Sequence, residues 1–199
     1  RIEHKVGDKT IKMPYLLYLP PDYETDKTPK AVLVFLHGVG ERGTNLEGVF
    51  GWGPDGHIRN NPSFKARYPF IGVSPQCDTN SRWEQPEICK TVVAIIDEVL
   101  RTYNADKSRV CLTGLSMGGR GTWEVALEAP DRFAAIAPIS SIEVRPEIAA
   151  EKLKGVAVWI ICGGSDGGFT EGSKKMNAAL EGKTGAEVKF TMHPNRGHE

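Results

Sequence analysis

Short, dense apolar runs alternate along this chain with amphipathic stretches. Residues 31–36 (A-V-L-V-F-L) are apolar throughout, as in a central strand covered on both faces. Residues 70–74, 110–113, 133–139, 156–162 and 188–192 are further strand-like runs, and 11–19 reads as an N-terminal strand stopped by Pro20 and Pro21. The clearest helix covers 84–103, where Ile88, Val92, Ile95, Val99 and Tyr103 recur at helical spacing and Pro86 suits the first turn. Residues 119–127 and 171–180 read as shorter helices. This alternation predicts an α/β fold: a mostly parallel central sheet with helices on both faces, joined by right-handed crossovers. Residues 44–67 break the pattern. They are rich in Gly, Asn and Pro, show no period, and are read as a long loop with at most one helical turn. Loops of that length in a compact domain are usually functional. The connection 140–155 is too short to hold a large lid domain.

Bulk properties narrow the function classes. With 199 residues, 40% apolar and 25% charged, the chain is expected to form a single domain over 1–199 with a sizeable core. The 25 basic and 25 acidic residues balance, so neither a nucleic-acid partner nor an anionic membrane surface is indicated. No apolar run approaches the ~20 residues of a membrane span. Of the cysteines, Cys111 and Cys162 fall in strand runs, while Cys77 and Cys89 are compatible with either free or paired thiols. None has the C-x-x-C spacing of a zinc or redox site, and no metal or cofactor is expected. The chain opens at Arg1 rather than methionine, so its true N-terminus is expected upstream or removed. A secreted or periplasmic location is favoured over a cytoplasmic one.

The chemistry centres on Gly114-Leu115-Ser116-Met117-Gly118. This matches G-x-S-x-G, with a strand run before it and a helix run after it. The strand-to-helix turn is sharp, and small residues on both sides let the serine stand above the sheet edge at the positive end of the helix. A serine hydroxyl needs a neighbouring base, and the base needs an acidic orienter. After Ser116, Asp166 follows the strand run 156–162 and His198 follows the run 188–192, giving the order Ser, Asp, His at one sheet edge. Helix capping is the competing role for Asp166. His193, at the end of its strand, is the competing base. Two N–H groups are expected to hold a developing oxyanion: that of Met117, after the nucleophile, and that of Val39, in the glycine-rich loop His37-Gly38-Val39-Gly40. His37 is read as holding that loop by hydrogen bonds. Glu41 and Arg42 are read either as an ion pair fixing it or as two solvated charges.

These pieces together resemble the α/β-hydrolase superfamily. The resemblance is closest to small serine esterases of the "predicted peptidase" type, with relatives among dienelactone hydrolases, polyhydroxybutyrate-depolymerase-like esterases and feruloyl or acetylxylan esterases. It rests on F-L-H-G-V-G-E-R-G (35–43), S-P-Q-C (74–77) with Trp83, Y-N-A-D-K-S-R-V-C-L-T-G-L-S-M-G-G (103–119), G-G-S-D (163–166) and N-R-G-H (195–198). It implies Ser116 as nucleophile, Asp166 as orienter, His198 as base, and Val39 and Met117 as oxyanion donors. It further implies a substrate surface involving His37, Gly38, Gln76 and Trp83. The implied activity is hydrolysis of a carboxylic ester, small or polysaccharide-linked, through an acyl-enzyme, with no cofactor. The cysteine nucleophile of dienelactone hydrolases is replaced here by Ser116. Such relatives usually continue past the histidine into a final helix, whereas this sequence stops at Glu199, so a weakly held His198 is expected. A serine peptidase on the same fold and a non-catalytic binding protein are the alternatives. The loop 44–67 is expected beside the active-site mouth, with Phe50 or Trp52 near the pocket.

Overall fold

The computed structural model describes residues 1–198. Strands β1 (Ile2–Val6) and β2 (Lys9–Met13) form an antiparallel hairpin that turns at Gly7, whose φ is +60°. Pro14 interrupts the run, and β3 (Tyr15–Tyr18) starts a separate sheet. The strand expected over 11–19 is thus two strands in two sheets, because a proline offers no N–H to continue a ladder.

The main sheet has seven strands in the order β3-β5-β4-β6-β7-β8-β9. The others are β4 (Lys30–Leu36), β5 (Ile71–Pro75), β6 (Ala105–Leu115), β7 (Ala135–Ile139), β8 (Ala157–Gly163) and β9 (Val188–His193). Every neighbouring pair is parallel except β3 with β5. From β4 the chain steps to β5 on one side, then crosses through α3 (Pro86–Thr102) to β6 on the other side. The connections leaving the C-terminal ends of β4 and β6 therefore run to opposite sides of the sheet, the switch point at which α/β sheets bind ligands. Leu36 pairs with Gly114 at that point, two residues before Ser116.

Helices α3, α4 (Met117–Glu128), α5 (Pro146–Lys152) and α6 (Gly168–Leu180) form a packed series on one face. Ile88, Val92, Ile95, Ile96 and Val99 of α3 meet Val32, Val34, Leu36, Val110 and Leu112 in a dry core with Trp83 and Trp123. Each such aliphatic side chain contributes on the order of 1.5–3 kcal/mol by leaving water. The segment 44–67 is more ordered than its composition predicts. It holds a short 3₁₀ stretch (Leu46–Phe50) and two short helices, α1 (Pro54–Asn60) and α2 (Pro62–Arg67), the second capped by the Asn61 side chain, which accepts the Phe64 N–H. These helices lie on the opposite face against Leu33 and Phe35. Beyond them that face is a shallow apolar trough of about 470 Å³ floored by Cys111, Ala135, Ala137, Ala157 and Trp159.

Candidate active site

The elbow is built as its glycines require. Ser116 has φ 61° and ψ −115°, a strained combination held on both sides by backbone bonds. Its N–H donates to Ile139 O at 3.0 Å, and its own carbonyl accepts the Arg120 N–H at 3.0 Å, starting α4. A Cβ on Gly114 would sit 2.6 Å from Leu36 O, and one on Gly118 would overlap that same oxygen. Strand β4 and the helix start approach so closely that only glycine fits at either position. The turn leaves Met117 as the first residue of α4, where an amide has no acceptor within the helix.

Ser116, His198 and Asp166 lie in one hydrogen-bonded line. The Ser116 hydroxyl donates to His198 Nε2 at 2.7 Å. His198 Nδ1 lies 3.0 Å from both oxygens of Asp166, so the ring proton is assigned to Nδ1. The Asp166 side chain is almost buried at 4% exposure, whereas that of His198 is 39% exposed. Asp166 does not cap α6: the residue before that helix is Gly167, and the Asp166 carboxylate faces the imidazole. Its own N–H is taken by Thr170 Oγ1, which in turn donates to Gly163 O at 2.6 Å.

The loop carrying His198 is laced to the loop after β8. Gly164 N–H donates to His193 O at 2.8 Å and Ser165 N–H to Arg196 O at 2.9 Å. A Cβ on Gly163 would run into the Arg196 and Gly197 carbonyls, so this seam too depends on glycine. His193 closes β9 opposite Gly163, and the serine bonds to His198 instead. The Phe169 ring stacks on His198 with centroids 4.2 Å apart. These contacts hold His198 although it is the last residue described. Phe169 was not legible as a site residue; its place three positions after Asp166 is the only sequence signal for it.

The loop after β4 flanks the serine from the other side. A Cβ on Gly38 would lie 3.9 Å from Ser116 Cβ, and Val39, 47% exposed, opens one 3₁₀ turn (Val39–Glu41). His37 is fully buried beneath this loop. The Cys77 N–H donates to its Nε2 at 3.1 Å, so Nδ1 carries the proton and donates to Gly38 O at 2.6 Å. Trp83 Nε1 donates to His37 O at 2.9 Å, and Gln76 Nε2 donates to Glu41 O at 2.8 Å and Asn45 O at 3.0 Å. Gln76 and Trp83 are 2% and 0% exposed. They therefore do not border a cleft as expected; their side chains are buried under the loop, where their polar groups bind its backbone. Arg42 does not pair with Glu41: it donates to Val39 O and Thr79 O. All the cysteines are free thiols. The segment after the 3₁₀ turn packs back against it, with Gly51 beside the Glu41 stem, while Trp52 is 57% exposed and Phe50 lies under the Arg59 guanidinium.

Burial lowers the pKa of His37 to about 4, against about 6.5 in an unfolded chain. The unfolded state therefore binds more protons between these values, and stability present above pH 6.5 is lost as pH falls toward 4. Between pH 7 and pH 5 this one group costs about 2 kcal/mol. Urea unfolding of wild type and His37→Gln at both pH values is expected to show the variant losing about 2 kcal/mol less on acidification. Equal losses would mean that His37 is not neutral and buried in the folded protein.

Comparisons with known proteins bear on this arrangement. Residues 10–193 match the family described as "Putative esterase". A stretch of 78 residues, 38% of the chain, is 37% identical to a bifunctional acetylxylan esterase/xylanase of Neocallimastix patriciarum, of which it covers 12%. A solved thermostable esterase is 30% identical, with a TM-score of 0.81 over 96% of this chain and 53% of that one. A solved ferulic acid esterase, 19% identical, has a TM-score of 0.74 over 100% of this chain and 89% of that one, a likeness of fold. The chain thus spans about half of the thermostable esterase and a small part of the bifunctional enzyme.

Proposed function

The chain belongs to the esterase family, and on that premise we propose that it hydrolyses carboxylic esters through Ser116, His198 and Asp166. The observation that carries this reading is the unbroken line of hydrogen bonds from carboxylate to imidazole to hydroxyl. Nε2 of His198 takes the Ser116 proton as Oγ attacks the ester carbonyl. The oxyanion that forms is held by the N–H groups of Met117 and Val39. Its collapse expels the alcohol, to which His198 returns the proton, and leaves an acyl group on Ser116. Water, deprotonated by the same imidazole, then releases the acid. Asp166 keeps the Nδ1 proton in place and supports the imidazolium at each transfer.

The substrate class proposed is a small or polysaccharide-linked ester, with no cofactor. Two observations favour an accessible ester. Only the short helix α5 stands between β7 and β8, and the imidazole is itself partly exposed. The likeness to an acetylxylan esterase supports the polysaccharide-linked case. A panel of 4-nitrophenyl esters, acetylated xylan and aminoacyl 4-nitroanilides tests the reading. Turnover of esters with at least 100-fold lower kcat/KM on the anilides is expected, a gap of about 2.7 kcal/mol in barrier. Preference for the anilides would assign a peptidase to the same residues. Inactivity on all of them would leave a binding protein.

A further inference from the structure

We infer that Gln76 is a positioning residue for the oxyanion loop, and that its amide sets where the Val39 N–H points. The inference rests on the esterase reading above and adds a residue that touches neither substrate nor the reacting atoms. Between β4 and the 3₁₀ stretch Leu46–Phe50, the loop turns through Gly38, Val39 and Glu41 with few contacts of its own to the core. Its grip comes from the chain just beyond β5. Gln76 N–H donates to Pro14 O at 2.9 Å, which ties this position to the start of β3. Cys77 holds the loop at two points, through its N–H to His37 Nε2 and through its carbonyl, which accepts the Gly43 N–H at 2.8 Å.

Trp83 and Arg42 hold the His37 and Val39 carbonyls, and the Gln76 side chain holds the carbonyls at the far end of the turn. Its single NH₂ group bridges the carbonyls of Glu41 and Asn45. Both partners are acceptors, so the nitrogen and not the oxygen must face them, which fixes the amide orientation. Glu41 closes the 3₁₀ turn that Val39 opens, so Gln76 fixes the far end of a turn whose near end, the Gly38–Val39 peptide, is held by His37 Nδ1 on Gly38 O. Gln76 is 2% exposed, and without its amide the Glu41 carbonyl loses this donor while the Asn45 carbonyl keeps only the Gly48 N–H. An oxyanion donor acts only when preorganised at the place where charge develops, so a small displacement weakens the transition state more than the ground state.

The test compares wild type, Gln76→Leu and Gln76→Glu, the last keeping shape but setting a carboxyl against two carbonyl oxygens. Active sites are counted by titration with a fluorophosphonate, and kcat and KM for 4-nitrophenyl acetate are expressed per active site. Inhibition by a trifluoromethyl ketone, whose adduct carries the oxyanion, is measured in parallel. Both variants are expected to lose about 10- to 100-fold in kcat with KM within about 3-fold, less than the 10²–10³ of deleting a donor outright. The inhibition constant is expected to rise by the same factor as kcat/KM falls. A kcat per active site within about 3-fold of wild type in either variant would overturn the inference, including the case where the variant merely yields less folded protein. So would a loss confined to KM. Wild-type protein inert toward esters would instead overturn the esterase reading.

Discussion

Replacing Ser116 by alanine is expected to lower kcat toward 4-nitrophenyl acetate by about 10⁶-fold, the scale found when the nucleophile of a serine hydrolase is removed. The reason is covalent. With no hydroxyl on the elbow, His198 has nothing to deprotonate, and no acyl-enzyme can divide the reaction into two easier steps. The fold is expected to survive. Alanine keeps the Cβ already tolerated at φ 61°, and the bonds that define the turn are made by the backbone of residue 116. Melting should therefore change little, within about 1 kcal/mol of stability. Residual hydrolysis over water would come from the oxyanion donors and binding alone. A variant retaining more than about a hundredth of wild-type kcat would place the nucleophile elsewhere.

The second large effect concerns Asp166→Asn, with an expected loss of kcat on the order of 10⁴, roughly 5 kcal/mol in barrier. Asparagine keeps the size and can keep one acceptor, but its uncharged amide no longer supports an imidazolium. It also allows the tautomer with the proton on Nε2, which cannot accept from Ser116. Helix capping predicts a different result, because asparagine caps about as well as aspartate. The geometry already argues against that role, since both carboxylate oxygens face His198 Nδ1 and α6 begins beyond Gly167. A kcat within about tenfold of wild type at unchanged stability would mean that another carboxylate orients the imidazole.

The central strands are legible as continuous apolar runs, and the long helix as a periodic signal sustained over several turns. Helix α3 runs Pro86–Thr102 against a reading of 84–103, and β4 adds only Lys30 to the reading 31–36. What escaped was short or marked by unused signals. Ile2, His4 and Val6 alternate with Glu3 and Lys5 in β1, a strand pattern only five residues long. Helices α1 and α2 have seven and six residues, too few turns to display a period among so many glycines and asparagines. Helix α5 lies in the connection that was read only as too short for a lid. Strand β6 begins at Ala105, five residues ahead of the apolar run 110–113, and Ala105 pairs with Lys30 before a bulge.

The line Asp166–His198–Ser116 was legible because the elbow's glycines and the strand-end positions are imposed by geometry that sequence spacing reflects. The surroundings were less so. S-P-Q-C and Trp83 stand out as motifs, but a motif does not say whether a side chain faces the cleft or the core. Gln76 and Trp83 face inward, where their N–H groups are the donors for the inward-facing carbonyls of the loop. The packing of Phe169 on His198 depends on how α6 leaves the sheet, which residue spacing alone does not encode.

Covalent labelling tests most directly whether Ser116 is the nucleophile. Wild-type protein treated with a fluorophosphonate and measured by intact mass should gain one phosphonyl group per chain, in step with loss of esterase activity. Peptide mapping should place it on Ser116, and Ser116→Ala should gain none. Labelling of a different residue, or full esterase activity in fully labelled protein, would contradict the account.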